Sequence, residues 1–181
     1  TFVSDYAEYS FDGKTYSARQ PLPQLFETLL RAEYKGTLYI RHSFELADVM
    51  PLTLRMEKGN YQFVQVNGKD VALQKSEFDV CFVEGEITPF LQVGTNELVY
   101  KVDYHQHDGV YFALFDPMAT ESVRNCLYYD THIENVYLLG DFVLKFFASV
   151  LKLLYNFVFV YLFICFHCFR YLLVSESKVI C

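Results

Sequence analysis

Gly36-Thr37-Leu38-Tyr39-Ile40-Arg41-His42-Ser43-Phe44-Glu45-Leu46 is the stretch that decides the fold. Leu38, Ile40, His42, Phe44 and Leu46 alternate with Tyr39, Arg41, Ser43 and Glu45. That period of two sends one set of side chains to a buried face and the other toward water, the pattern of a half-buried strand. The same period recurs downstream, in Leu52, Leu54 and Met56, in Tyr61 to Val66, in Phe78, Val80 and Phe82, and in Leu98, Tyr100, Val102 and Tyr104. Between Val66 and Val71 stands Asn67-Gly68. A two-residue hairpin turn needs positive φ at both central positions, and Asn followed by Gly tolerates this best. Short strands separated by turn chemistry predict an antiparallel sandwich or barrel, not a parallel sheet.

Upstream, Phe11-Asp12-Gly13-Lys14-Thr15-Tyr16 places a turn signal between aromatic segments and predicts a small hairpin. Pro21-Leu22-Pro23 then introduces Leu25, Phe26, Leu29 and Leu30 at helical spacing, with Gly36 placed as the stop. The expected short helix packs its apolar stripe on the sandwich edge. Downstream, composition changes near Asp141: from residue 142 to 174 the only charges are Lys145, Lys152 and Arg170. The three segments are therefore residues 1–35, a hairpin and helix packing on the sandwich; 36–141, the sandwich; and 142–181, an apolar helical tail.

A chain of 181 residues holds one sizeable domain and an appendage. Its net charge of -7 disfavours a nucleic-acid partner, since affinity for phosphates rests on Lys and Arg. The first residue is Thr1, which reads as a start left by processing or cloning. Cys81 and Cys126, the two cysteines outside the tail, do not make a disulfide framework and are expected as small buried or half-buried side chains, with pairing as the alternative in an exported protein.

Three motifs resemble the sugar-binding domain of glycoside hydrolase family 2. Gly36 to Leu46 is similar to its opening strand, Val66-Asn67-Gly68-Lys69-Asp70-Val71 to its V-N-G-K hairpin, and Ile87-Thr88-Pro89-Phe90-Leu91 with Gly94-Thr95-Asn96-Glu97-Leu98 to its I-T-x-x-L and G-x-N-x-L signature. Read locally, Thr88-Pro89 starts one helical turn and Gly94-Thr95-Asn96 supplies a turn before the last strand. The resemblance covers about seventy residues in the right order, as motif context requires. It implies a mainly β, antiparallel jelly-roll β-sandwich, galactose-binding-like, as found in β-galactosidase-like bacterial glycosidases. The chain departs from the family in having no Trp and in lacking the D-x-x-W-R-x-S-G-I segment after the closing strand. In its place stand His105 to Tyr111 and then Tyr128 to Phe142, which resemble the linking segments of α-L-rhamnosidase relatives.

Glycoside hydrolysis needs two carboxyl groups flanking the scissile bond. Glu84 and Glu86 flank Gly85 but are expected in a solvated loop beside Ile87-Thr88-Pro89. The resemblance places the family's acid and nucleophile on a separate barrel, a fold of about 250 residues that this chain does not accommodate. No catalytic residue is assigned. His105, His107 and Asp108 supply only two imidazoles and one carboxylate, and Cys165-Phe166-His167-Cys168 lacks a second ligand pair, so no metal or cofactor is expected. The sugar-contact candidates are Tyr104, His105, His107, Asp108 and Tyr111, with tyrosine rings for pyranose faces and His and Asp for hydroxyls.

Leu153 to Phe169 is an uncharged run bounded by Lys152 and Arg170, just reaching the roughly 17 residues that a membrane span needs. It reads either as a membrane anchor or as an out-of-frame end rich in Phe, Leu, Tyr and Ile. Localisation follows from that choice: membrane-anchored in the first case, cytoplasmic in the second. The expected function is a non-catalytic carbohydrate-associated module or fragment of a glycoside hydrolase, whose partner is a carbohydrate or an adjacent catalytic domain. The alternative is a membrane-anchored interaction module without sugar binding.

Overall fold

A computed structural model describes residues 1–145 and 178–179. The chain is mainly β, with two antiparallel sheets whose inner faces share one core, as in a β-sandwich. The strands are β1 (Phe2–Ser4), β2 (Tyr6–Ser10), β3 (Gln20–Pro21), β4 (Gly36–Leu46), β5 (Thr53–Glu57), β6 (Tyr61–Val66), β7 (Lys69–Asp70), β8 (Gln74–Lys75), β9 (Phe82–Glu86), β10 (Gly94–Tyr104) and β11 (Val136–Leu139). One sheet runs β1-β11-β5-β9-β8 and the other β3-β2-β4-β10-β6-β7. A small pair, β12 (Leu144–Lys145) with β13 (Lys178–Val179), forms a separate two-stranded sheet. Residues 146–177 and 180–181, which include the Leu153 to Phe169 run of the apolar tail, lie outside the described residues. Among the described residues no helix is long and apolar enough to cross a membrane.

The alternation in β4 is realised residue for residue: Leu38, Ile40, His42, Phe44 and Leu46 are buried. β10 pairs with it over its whole length, from Gly94 opposite Leu46 to Tyr104 opposite Gly36. Leu54 and Met56 of β5 and Leu138 of β11 line the facing sheet. Both sheets end in short strands, β1 and β8 in one and β3 and β7 in the other. Two- and three-residue edges present little unpaired backbone to a passing chain, and Pro21 removes a further donor from β3.

Asn67-Gly68 forms the expected turn between β6 and β7, with φ of 50° and 74°, and Val64 and Val66 both face the core. Gly85 is required for a different reason. A Cβ there would lie 2.5 Å from Val71 Cγ1 and 2.9 Å from the Ala72 carbonyl, because the chain leaving β7 crosses directly over β9.

Helix α1 spans Leu22–Arg31 with proline in its first turn, and buries Leu22, Leu25, Leu29 and Leu30. Gly36 does not stop it. The stop is Glu33, at φ 46°, whose N–H bonds the Leu30 carbonyl while that of Tyr34 bonds Leu29. These are the two bonds of a Schellman closure, with Glu in the left-handed position usually given to Gly.

Four other expectations need correction. Phe78 and Val80 do not lie in a strand: they are 79% and 81% exposed. Ser76 Oγ accepts from Phe78 N and Asp79 Oδ1 accepts from Cys81 N, so side-chain turn chemistry overrides the local alternation. Glu84 is not in a loop but in β9, where it pairs with Arg55 at 2.6 Å. Gly94-Thr95-Asn96 is not a turn but the first part of β10. Cys81 and Cys126 are exposed free thiols, one in the turn before β9 and the other at the end of α3 (Glu121–Asn125).

Candidate functional site

The two ends of the six-stranded sheet differ in how their polar groups are used. At the end where β6 finishes and β10 begins, Asn96 is 0% exposed. Its Nδ2 donates to the Gln92 and Gly94 carbonyls at 2.7 and 3.0 Å, and its Oδ1 accepts from Gln92 N at 2.9 Å and Asn67 Nδ2 at 2.8 Å. Asn67 Nδ2 also donates to the Phe90 carbonyl at 2.8 Å, and its Oδ1 accepts from Glu97 N at 2.9 Å. The Asn67 backbone N–H completes the corner by donating to the Glu97 carbonyl. Every side-chain polar atom of both residues is used, as burial demands.

At the opposite end, β5 turns into β6 through residues 58–60, β10 finishes, and the chain returns through residues 130–134 before β11. These three segments enclose a cleft of about 260 Å3. Its walls are fixed from behind. Tyr61 donates its hydroxyl to the Glu57 carbonyl at 2.7 Å and anchors the turn. Gln106, fully buried, accepts from Asp130 N at 2.8 Å and donates to the Thr131 carbonyl at 2.6 Å, while His105 N donates to Thr131 Oγ1 at 3.3 Å.

Four carboxylates line the cleft, on Glu57, Asp103, Asp130 and Glu134, together with His105, His132, Asn60 and Lys58. Burial, and then the charge of Glu134, push the Glu57 carboxyl above its ordinary range. Asp130 Oδ2 is committed to His107 N at 2.6 Å, and Glu134 lies 3.5 Å from His132 Nδ1. The Asp103 carboxylate and the Asn60 amide make no hydrogen bond or ion pair among the described residues. No three His, Cys, Asp or Glu side chains stand close enough to hold a metal ion among those residues.

The sequence candidates do not converge on this cleft. Only His105 lines it. Tyr104 is 0% exposed, its ring stacked on Tyr34 and edge-on to Phe26, so its faces belong to the core and are closed to a sugar. Burial pushes its phenol up to about 12. His107 packs against Tyr128 at 4.5 Å and precedes helix α2 (Asp108–Phe115). Asp108 is exposed 3.5 Å from Lys35, whose ammonium also lies over the Tyr111 ring at 5.8 Å. Chain direction explains the split: the helical turn starting at Asp108 carries Asp108 and Tyr111 toward α1 and away from the β10 terminus. Glu57, Asn60 and Asp103 were missed because each is a polar residue near a strand end, with no local signal to separate it from a solvated side chain. Asp130, Thr131, His132 and Glu134 fall in the segment that sequence marked only as a linker.

The Glu84–Gly85–Glu86 run offers no acid. Hydrogen bonds from Ser76 and then Arg55 hold the Glu84 carboxyl below its ordinary range.

No protein-family model matches the sequence, and no curated protein does. Among solved structures, the chain is similar to β-D-glucuronidase from Dictyoglomus thermophilum at 24% identity and a TM-score of 0.42, over 56% of this chain and 19% of that one. It is similar to β-D-mannosidase from the same organism at 14% identity and a TM-score of 0.45, over 77% and 23%. A β-glucuronidase from Ruminococcus gnavus, in complex with a C6-substituted uronic isofagomine, gives 16% and 0.43, over 60% and 22%. The chain thus spans about a fifth of the length of these structures.

Proposed function

We propose that the chain is a non-catalytic, carbohydrate-associated module of a glycoside hydrolase, a jelly roll like the sugar-binding domain of family 2, which supports sugar binding or docks beside a catalytic domain. One observation carries this reading. Asn67 comes from the V-N-G-K segment and Asn96 from the G-x-N-x-L segment, and the two side chains meet at 2.8 Å in a closed network. Motifs that singly have ordinary turn explanations are thereby one structural unit, and the resemblance rests on a three-dimensional constellation instead of on separate short patterns. The polar cleft at the far end of the same sheet supports the reading, since it gathers hydrogen-bonding groups from three segments in one concavity.

Incubation of the full chain with a panel of aryl-glycosides tests the non-catalytic part, and no turnover is expected. Turnover that disappears in Glu57→Gln or Glu134→Gln would contradict it. Titration with a glycan panel tests the binding part: weak affinity for at least one sugar is expected, and none for any sugar would leave docking as the role.

A further inference from the structure

The cleft between Glu57–Tyr61, the end of β10 and residues 130–134 combines fixed walls with unspent groups. The bonds of Tyr61, Gln106 and Thr131 described above hold all three segments and leave the Asp103 and Asn60 side chains uncommitted. Asp103 and Asn60 stand on different segments of that opening, one an acceptor of two hydroxyls and the other both donor and acceptor. Bonds from hydroxyls to a carboxylate are charge-assisted and about twice as strong as neutral ones, and a carboxylate's two oxygens suit adjacent hydroxyls. A volume of about 260 Å3 lies just below the roughly 300–1,000 Å3 of sites for larger ligands, so it takes one ring and no longer chain.

Charge selects further. Four carboxylates against the single ammonium of Lys58 give the opening a negative potential that repels an anion. Crowding is already felt within the protein, since Glu134 helps to raise the Glu57 carboxyl.

We propose that this cleft is a recognition site for a single uncharged sugar ring, held by adjacent hydroxyls between Asp103 and Asn60, from which uronates and sugar phosphates are excluded by the surrounding carboxylates. The proposal rests on the carbohydrate reading above and adds the place and the ligand class. It is independent of the Tyr104–Tyr111 run except for His105.

The test is ligand-observed NMR on the full chain with D-mannose, D-glucose and D-glucuronate, repeated on Asp103→Asn, Asn60→Ala and, as a control outside the cleft, Lys69→Gln. At least one neutral sugar should bind. Its affinity should fall about tenfold or more in Asp103→Asn and less in Asn60→Ala, while Lys69→Gln binds as before and glucuronate shows no transfer. Because Asp103 and Asn60 are exposed, the variants should keep the parent's unfolding temperature, which separates lost binding from lost fold. Neutral-sugar binding unchanged in both cleft variants would overturn the proposal while leaving the proposed function standing. Glucuronate binding as tightly as the neutral sugars would overturn the ligand class. Silence from every sugar would remove both the cleft and the sugar-binding half of the proposed function.

Discussion

The corner at Asn67 and Asn96 and the cleft at Asp103 and Asn60 occupy opposite ends of the same two strands, β6 and β10, yet they treat polar atoms in opposite ways. At the corner, one amide is buried and the other half-buried, and every side-chain polar atom of the two has a partner inside the molecule. At the cleft, side chains of the same general chemistry are held on fixed backbone and left facing solvent. A satisfied buried network specifies structure, because each missing partner would expose the full desolvation penalty of the group left behind. Unsatisfied groups on a rigid frame cost nothing in water and remain available to a ligand. The difference suits one end to stability and leaves the other open to the proposed recognition.

Asn96→Ala is the substitution most able to break that comparison. It removes a buried side chain and leaves the half-buried Asn67 amide and the backbone groups of Gln92 and Gly94 without that partner, and should cost about 2 kcal/mol. Urea denaturation measures this, and a loss under about 1 kcal/mol would mean that water replaces the amide and the corner is not structural.

His42 is an intermediate case that sharpens the comparison through pH. It is 1% exposed, with Nδ1 2.9 Å from Ser4 Oγ and Nε2 buried without a partner. Burial, helped by the charge of Arg19, lowers its pKa from 6.5 to about 3. The imidazole is neutral in the folded chain, whereas the unfolded chain protonates at its ordinary value. Its contribution is therefore complete above pH 6.5 and is lost progressively as pH falls toward 3. Stability measured between pH 7 and 4 should decline less in His42→Leu than in the parent. Equal declines would show that the exposed histidines and carboxylates carry the whole dependence.

Glu33→Gly should stabilise the chain by up to about 1 kcal/mol, because the left-handed helix stop then carries no Cβ strain. Thermal unfolding reads the change, and a fall in midpoint would mean that the Glu33 side chain stabilises more than its backbone costs. The smallest effect is expected at the cleft: Asp103→Asn should shift stability by no more than about 0.5 kcal/mol, as exposed substitutions usually do. A larger loss would move Asp103 from recognition to structure and erase the contrast between the two ends.

Much of the sandwich was legible because its signals are local. The alternation of Leu38 to Leu46 and of Leu98 to Tyr104 reports burial directly, and Asn67-Gly68 reports its own turn through the φ it needs. The same rule misread Phe78 and Val80, where two short polar side chains, Ser76 and Asp79, bend the chain before the alternation can be used. Asn96 was legible as a motif residue but not as half of a buried pair, since its partner lies elsewhere in the chain. The site was harder still. His105 was visible as an imidazole near aromatic residues, but a cleft formed by three separate segments leaves no spacing to recognise, and Tyr104 looked like a platform until two other rings were found covering it.

The claim beneath both the fold and the proposed function is that the two motif segments act as one unit through Asn67 and Asn96. A double-mutant cycle with Asn67→Ala, Asn96→Ala and the double variant, each followed by urea denaturation, tests this directly. The account predicts that the double variant loses less than the sum of the single losses, with a coupling of about 1 kcal/mol or more. Single losses that add to within about 0.5 kcal/mol would contradict it, because two independent turns would then be all that the motifs encode.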